Sequence, residues 1–156
     1  MKKSLLAISL ITSFAFAEFD TKATVGVTAA ELCGKSYTQF GIGYTSNTRL
    51  DSGIILGFGN SLAYGSVESG VDAITLDMDL KAGYEIIENL TGFALGTGAA
   101  QTVDNDSAFG LGYGAALEYK LTHNVSLEGS YKTLTMEDGS RNYDYDTTNF
   151  GIKFNY

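Results

Sequence analysis

The sequence predicts an all-β fold, a closed eight-stranded antiparallel up-and-down β-barrel that crosses a membrane. Three observations predict it: apolar residues recur at every second position, the alternating segments mostly reach nine residues or more, and glycine and aromatic residues are abundant. The chain has nineteen glycines, ten tyrosines and nine phenylalanines, with no proline and no tryptophan. Aromatic residues suit pleated strands, and without proline every strand residue can donate to the ladder.

A secretory signal peptide is predicted over residues 1–17, leaving one barrel domain over residues 18–156. Lys2 and Lys3 supply the positive start, an apolar run follows from Leu5 to Ile11, and Ala15-Phe16-Ala17 forms an A-x-A cleavage site. The segment is too short to span a bilayer, and its pattern is that of a cleaved export signal.

The first four strands are predicted where apolar residues alternate with small or polar ones. Their bounds are Thr21–Ala29, Tyr37–Thr45, Leu50–Asn60 and Ala73–Ile86. The apolar positions that define them are, in order, Ala23, Val25 and Val27; Phe40, Ile42 and Tyr44; Leu50, Ile54, Leu56 and Phe58; and Ile74, Leu76, Met78, Leu80, Ala82, Tyr84 and Ile86. A period of two is the signature of a strand whose two faces meet different environments.

The last four strands follow the same rule. Their bounds are Thr91–Gln101, Phe109–Leu121, Val125–Thr135 and Thr147–Tyr156, with the apolar faces Phe93, Leu95 and Ala99; Phe109, Leu111, Tyr113, Ala115, Leu117, Tyr119 and Leu121; Val125, Leu127 and Tyr131; and Phe150, Ile152, Phe154 and Tyr156. Strands of soluble proteins average about 5–6 residues, whereas a tilted strand needs about 9–11 to cross a bilayer. The lengths therefore favour a membrane barrel.

The connections alternate in character along the chain. The segments SNTR, IEN and THN are predicted to be tight turns, and the segments ELCGKS, SLAYGSVESGVD, TVDNDSA and EDGSRNYDYD to be longer or more acidic loops. Short turns at one end and longer loops at the other are typical of outer-membrane barrels, with both termini on the periplasmic side.

Two barrel architectures fit the alternation. A soluble periplasmic barrel of the lipocalin type would place the apolar face inside, and a membrane barrel would place it in lipid. The second face of strand six, with Gly110, Gly112, Gly114, Glu118 and Lys120, favours the membrane barrel, because eight strands leave an interior so narrow that glycines make room for long side chains.

Aromatic residues on the apolar face also favour a bilayer. Two bands are predicted, one near the short turns and one near the long loops: Tyr44, Tyr84, Phe93, Tyr119 and Tyr156; and Phe58, Phe109 and Tyr131. Two aromatic bands around an aliphatic belt match the two interfaces of a membrane.

The closing stretch NFGIKFNY carries a family resemblance. Asn149, Gly151, Phe154 and Tyr156 match the outer-membrane β-signal, and the chain resembles the small eight-stranded outer-membrane proteins, the porin-like group that includes the OmpA transmembrane domain and OmpX. The resemblance implies a Gram-negative outer-membrane location, surrounding lipid and lipopolysaccharide, and recognition of the last strand by the barrel-insertion machinery.

The search for chemistry yields no catalytic residue, metal site or cofactor. Some barrels of this size modify lipid A and resemble one another in using a His with a Ser and an acid near the outer leaflet. Here the one histidine, His123, falls in the predicted THN turn on the periplasmic side, so the chain is not expected to be an enzyme. The lone Cys33 is expected to be a loop residue that makes no internal disulfide.

The acids of the predicted loops are expected to be solvated. The segments Asp104-Asn105-Asp106 and Asp144-Tyr145-Asp146 could instead hold Ca²⁺ or bridge lipopolysaccharide through divalent cations, but their spacing is not that of an EF-hand. The formal charge of −8 argues against a nucleic-acid partner, which would need clustered Lys and Arg.

An ion-pair network is predicted inside the barrel. If THN closes a symmetrical hairpin, Glu118 faces Glu128, and two opposed carboxylates need a cation or a shared proton. Lysines and a further acid share this inward face, so the network is expected to contain Lys81, Glu85, Glu118, Lys120, Glu128, Lys132 and Lys153. A catalytic carboxylate dyad is the alternative interpretation.

The function predicted from the sequence is a rigid, non-catalytic scaffold that presents four loops outside the cell. The candidate loop contacts for an extracellular partner are Tyr64, Arg141, Tyr143 and Tyr145, because loops on a rigid frame usually carry recognition. A narrow pore for small solutes and a soluble periplasmic binding barrel remain alternatives.

Overall fold

The computed structural model describes residues 19–32, 34–104, 106–139 and 142–155. The predicted signal peptide, Cys33, Arg141 and Tyr156 lie outside the described residues. Eight strands follow one another: β1 Asp20–Leu32, β2 Lys35–Arg49, β3 Ile54–Glu68, β4 Val71–Ile87, β5 Leu90–Val103, β6 Asp106–Lys120, β7 Val125–Glu137 and β8 Asn142–Asn155.

The strands form a closed barrel in sequence order, which confirms the predicted fold class. Each strand pairs antiparallel with the next, and β1 closes the sheet against β8, with Val25 opposite Ile152. Closure leaves no open edge, so the backbone polar groups of the sheet are satisfied inside it, as a lipid environment requires. In the described part of the chain no helix is long and apolar enough to cross a membrane.

The apolar side chains point outwards. Leu111 is 77% exposed, and Leu80 and Tyr113 are each 72% exposed, whereas Lys81, Glu118 and Lys153 are buried in the lumen. A soluble binding barrel would show the reverse arrangement, so this alternative is wrong. The exterior is a surface for acyl chains, and the interior holds charge.

Strand β5 corrects the predicted faces. Phe93, Leu95 and Ala99 were expected on the lipid side, but all three are buried inside the barrel. From Gly92 to Ala100 the outward residues of β5 are all glycine or alanine. The inversion follows from packing, because Phe93 lies opposite Gly83 of β4 and its ring occupies the space that a methyl group at Gly83 would need.

The aromatic bands need two corresponding corrections. Phe93 does not belong to the band near the termini, because it faces the lumen. Phe58, expected near the long loops, lies near the end of the barrel that carries the termini, where its ring meets that of Tyr44 edge-on at 6.0 Å.

The connections are also shorter and differently placed than expected. The segment SNTR belongs to β2, and the turn falls on residues 50–53 instead. The four connections predicted to be long shrink to residues 33–34, 69–70, 104–105 and 138–141, because the polar residues around them extend the strands. In the turn of residues 69–70, Gly70 lies in the left-handed region at φ 83°, a conformation that glycine adopts without a steric cost.

The exterior is asymmetric along the barrel. At the end that carries the termini, exposed Ile87 adjoins one turn and exposed Leu121 lies in another. At the opposite end, here called the far end, the exposed outward residues before the turns are polar: Ser36, Thr38, Ser66, Glu68, Asp72, Thr102, Ser107, Thr135, Glu137 and Asp144. The strands have 13 to 17 residues, which exceeds the roughly 9–11 that span a bilayer. The far end therefore extends beyond the apolar belt.

Candidate functional site

The far end of the lumen is filled by an apolar plug. Leu134 and Met136 of β7 and Tyr145 of β8 are almost completely buried and pack with Tyr37 and with alanines of neighbouring strands. Leu32, Val67, Val103 and Tyr143 pack against the plug from the hairpins. The protruding hairpins therefore enclose a small hydrophobic core of their own.

A layer of hydrogen bonds adjoins the plug. The Tyr145 hydroxyl donates to Gln39 Oε1 at 3.0 Å, and Gln39 Nε2 donates to Thr75 Oγ1 at 3.0 Å. Gln101 Nε2 lies 3.0 Å from both Thr75 Oγ1 and the Tyr37 hydroxyl. These side chains come from β2, β4, β5 and β8, so the layer bridges the lumen from wall to wall.

Two groups of ion pairs fill the rest of the lumen. In the first, Lys153 Nζ lies 2.9 Å from Glu118 Oε2 and 2.5 Å from Glu128 Oε2, while Lys22 binds Glu118 at 2.6 Å and Lys81 binds Glu128 at 2.9 Å. These five residues form what we call the lysine–glutamate network. Glu118 and Glu128 are directly paired across β6 and β7.

The second group is smaller. Lys132 Nζ lies 2.9 Å from Asp79 Oδ2 and 3.3 Å from Asp77 Oδ2. Both acids are on the inward face of β4, two residues apart, so one lysine serves two carboxylates. Among the described residues of the lumen, the two groups together contain four lysines and four acids, so their charges balance.

The predicted interior network is therefore regrouped. Lys81, Glu118, Glu128 and Lys153 come together, while Lys132 belongs to the separate aspartate group. Glu85 and Lys120 were expected in the network, but Glu85 binds Arg49 at the barrel mouth and Lys120 is exposed at the end of β6. Sequence reasoning missed Lys22, whose inward position follows from the alternation of β1.

The mouth at the terminal end is an open, charged cavity of about 320 Å³. Its wall includes Lys22, Arg49, Glu85, Glu118 and Lys120. Arg49 Nη2 donates to Glu85 Oε2 at 2.9 Å, and the backbone N–H of Asn89 donates to Glu85 Oε1 at 3.3 Å. Two members of the lysine–glutamate network, Lys22 and Glu118, therefore line this cavity.

The candidate contact residues at the far end occupy strands rather than loops. Tyr64 faces outwards on β3 and hydrogen-bonds Asp72, whose pKa is lowered by bonds from the Ser66 and Tyr64 hydroxyls. Tyr143 is partly buried on β8. The expectation that Tyr145 is exposed is wrong, because it is 1% exposed and belongs to the apolar plug.

The residues considered for catalysis and metal binding remain scattered. His123 lies exposed in the turn of residues 121–124 at the terminal end. Asp144 and Asp146 lie within β8, not in a loop. Across the described residues no group of three or more His, Cys, Asp or Glu side chains is placed to hold a metal ion.

The family model described as the outer membrane protein beta-barrel domain matches residues 4–156. The chain belongs to this family. Membership of the family places the protein in the bacterial outer membrane. It also confirms the resemblance to small eight-stranded outer-membrane barrels. No curated protein sequence matches the chain.

Solved structures show the same fold at low sequence identity. Neisserial surface protein A is 14% identical, with a TM-score of 0.63 over 88% of this chain and 97% of that protein. Ail, the attachment invasion locus protein of Yersinia pestis, is 16% identical, with a TM-score of 0.57 over 90% and 99%. The outer membrane enzyme PagL is 12% identical, with a TM-score of 0.55 over 85% and 98%.

Three residues of the predicted barrel-insertion signal lie along β8: Asn149, Gly151 and Phe154. Asn149 faces the lumen and donates to Thr28 Oγ1 at 2.7 Å, while Phe154 faces outwards. Gly151 lies close to Val25 of β1, where a methyl group would come 3.3 Å from the Val25 carbonyl oxygen. These residues therefore contribute to closure of the β1–β8 seam, and their role as an insertion signal stays a prediction.

Proposed function

We propose that this outer-membrane barrel is a closed, non-catalytic scaffold that displays the hairpins of its far end outside the cell. The observation that carries the proposal is the filled lumen. Four side chains from different layers of the lumen are each at most 1% exposed: Lys153, Gln39, Tyr145 and Met136. In a barrel packed in this way, side chains fill the lumen and leave no open channel along its axis.

The asymmetry of the exterior supports the orientation. The apolar belt reaches the turns at the terminal end, while polar strand segments follow it at the far end. Outer-membrane barrels keep short periplasmic turns and place their larger extensions outside. The far end is therefore the surface-exposed end, and the predicted signal peptide would supply the export step.

The absence of an assembled catalytic group among the described residues supports a non-catalytic role. A hydroxyl nucleophile needs an adjacent base, and His123 lies in a turn at the terminal end, away from the outer leaflet where lipid A would be met. The enzyme PagL shares the fold, but fold alone carries no activity.

The charge of the far end indicates the kind of partner it would bind. Among its described residues, exposed acids include Glu31, Glu68, Asp72, Glu137 and Asp144, while the exposed base Lys35 is paired with Glu68. Such a surface favours a cationic extracellular partner and repels anionic ones. Lipid and lipopolysaccharide surround the belt below it.

Conductance tests the closed scaffold against the narrow pore. The purified barrel, inserted into planar bilayers, is expected to give no stable channels. Stable unitary currents that persist after repeated purification would overturn the closed scaffold and favour the pore. A Lys153→Ala variant should also stay closed, because the hydrogen-bonded layer and the apolar plug still fill the lumen beyond the network.

Surface labelling tests the orientation independently. In a Cys33→Ser background, Asp106→Cys at the far end and Asp51→Cys at the terminal end are treated with a membrane-impermeant maleimide on intact cells. Asp106→Cys is expected to react at once and Asp51→Cys only after the outer membrane is permeabilised. The opposite pattern would contradict surface display of the far end.

A further inference from the structure

A small cavity lies in the polar part of the lumen, beside β1 and β2. Its volume is about 30 Å³. Gly26, Gly41 and Gly43 line it and leave it open because they have no side chains. The other lining residues include Thr24, Asp77 and Asn149, whose side chains bring polar atoms to the wall of the cavity.

Two oxygen atoms of the lining residues lack protein partners. Thr24 Oγ1 and Asp77 Oδ1 are inaccessible to solvent, and neither has a hydrogen-bond partner among the described residues. The second oxygen of Asp77 accepts from Lys132 at 3.3 Å, so the carboxylate is only half satisfied. A buried polar group without a hydrogen bond is costly, and native proteins usually satisfy it with protein or with water.

We propose that this cavity is a water-binding site in which about two water molecules link the Thr24 hydroxyl to the Asp77 carboxylate. One water needs roughly 10–15 Å³ of such space and two to four polar partners. The volume and the lining both meet these requirements. The site goes beyond the scaffold role, because it assigns the lumen a built-in solvent component between the ion pairs and the apolar plug.

Water fits this site better than a cation does. The lysines and acids of the two ion-pair groups already balance in charge. The Asp77 carboxylate, which lines the cavity, already has Lys132 as a partner. A metal ion would need further anionic ligands, and no group of three His, Cys, Asp or Glu side chains is available in the described residues. The neutral hydroxyl of Thr24 needs a molecule that can both donate and accept, which water does.

The sign of a stability change distinguishes a hydrated cavity from a dry one. Thr24→Val keeps the shape of the side chain and removes its hydroxyl. In a hydrated cavity the variant loses a hydrogen bond to water, and its folding equilibrium constant is expected to fall roughly three- to tenfold. In a dry cavity the same change removes an unsatisfied group, and stability would stay the same or rise.

Thr97→Val is the matched control. Thr97 Oγ1 is also buried without a partner among the described residues, but Thr97 does not line this cavity. Urea unfolding of each variant in lipid vesicles is expected to show a loss for Thr24→Val, no loss for Thr97→Val and recovery in Thr24→Ser. Equal effects in the two valine variants, or no loss in Thr24→Val, would overturn the proposal.

Two further measurements do not depend on the variants. Nuclear Overhauser effects between slowly exchanging water and Thr24 are expected in nanodiscs, and their absence would contradict the site. Unfolding in sodium, potassium and choline chloride at equal ionic strength is expected to give the same midpoint. A midpoint that depends on the cation would replace the proposed water with an ion.

Discussion

Glu118 and Glu128 face each other directly across β6 and β7, and the ammonium group of Lys153 bonds both carboxylates at 2.9 Å and 2.5 Å. Lys22 and Lys81 bind the same two acids from either side. Each glutamate therefore has two lysine partners, and the repulsion between the opposed carboxylates is offset by shared positive charge. The two acids are held in fixed positions, which favours a structural role over a catalytic dyad.

Truncation of either acid should destabilise the barrel. Glu128→Ala and Glu118→Ala each leave lysines without a counter-charge in the lumen, and the expected loss in the free energy of unfolding is roughly 3–5 kcal/mol. Urea titration in lipid vesicles measures it. Glu88→Ala, in an exposed turn, is the control and should change little. Unchanged midpoints in both glutamate variants would count against a dry network.

A charge on the belt should be far more costly than the same charge at the far end. Leu80→Lys places an ammonium group at an outward position in the middle of β4, and the expected loss is about 2–4 kcal/mol if this position lies near the bilayer midplane. Ser36→Lys, on the polar exterior of β2, should have little effect. Both are compared by folding into vesicles. Equal tolerance of the two lysines would argue that the belt does not contact acyl chains.

The contact between Phe93 and Gly83 should be intolerant of an added methyl group. Gly83→Ala forces the ring to move, and overpacking of this kind typically costs about 1–3 kcal/mol. Gly96→Ala is the matched control, because a methyl group there meets no atom within 4 Å. Thermal unfolding, followed by gel mobility, should show a loss for the first variant and none for the second.

A second change tests the cause of that loss. Combining Gly83→Ala with Phe93→Leu removes the overlap with the ring but leaves the methyl group 2.6 Å from the Gly92 carbonyl oxygen, so only part of the loss should be recovered in this background. If the loss at Gly83 is the same with and without the phenyl ring, the clash is with the backbone of β5 and not with Phe93.

The ion pair between Arg49 and Glu85 at the barrel mouth should contribute little to stability. The two side chains are 54% and 36% exposed, and exposed ion pairs are worth about 0–1 kcal/mol. Arg49→Gln is therefore expected to lower the free energy of unfolding by at most about 1 kcal/mol, and high salt should reduce the difference further. Urea unfolding in lipid vesicles at low and high salt measures it. A loss as large as that of Glu128→Ala would show that the pair is shielded from water.

Much of the fold could be predicted because alternation along a strand is a local property. The eight strands, the outward apolar face and the pairing of Glu118 with Glu128 follow from period two and one symmetrical turn. In β5 both faces are apolar, so hydropathy could not distinguish them. The face with the larger residues was therefore predicted to contact lipid. The lumen accepts Phe93 only because Gly83 is its neighbour, and that relationship depends on register between strands.

The connections were harder to predict because polar segments at the ends of strands were interpreted as loops. Residues such as Ser36, Ser66 and Asp144 are polar because they lie on strands beyond the lipid, where the outward face meets water. The same error made Tyr145 a loop residue, although the inward face of the extension has a core of its own. Lys22 was missed because its partner Glu118 is 96 residues away.

The core inside the far end has an entropic consequence for recognition. The described strand segments of this end are packed from within, so a partner that contacts them would meet a surface that is already ordered. Binding would then lose little conformational freedom on this side of the interface. Selectivity would depend on the fit to a fixed β-sheet surface, and adaptation to a new partner would require exchange of outward side chains, with little change in loop length.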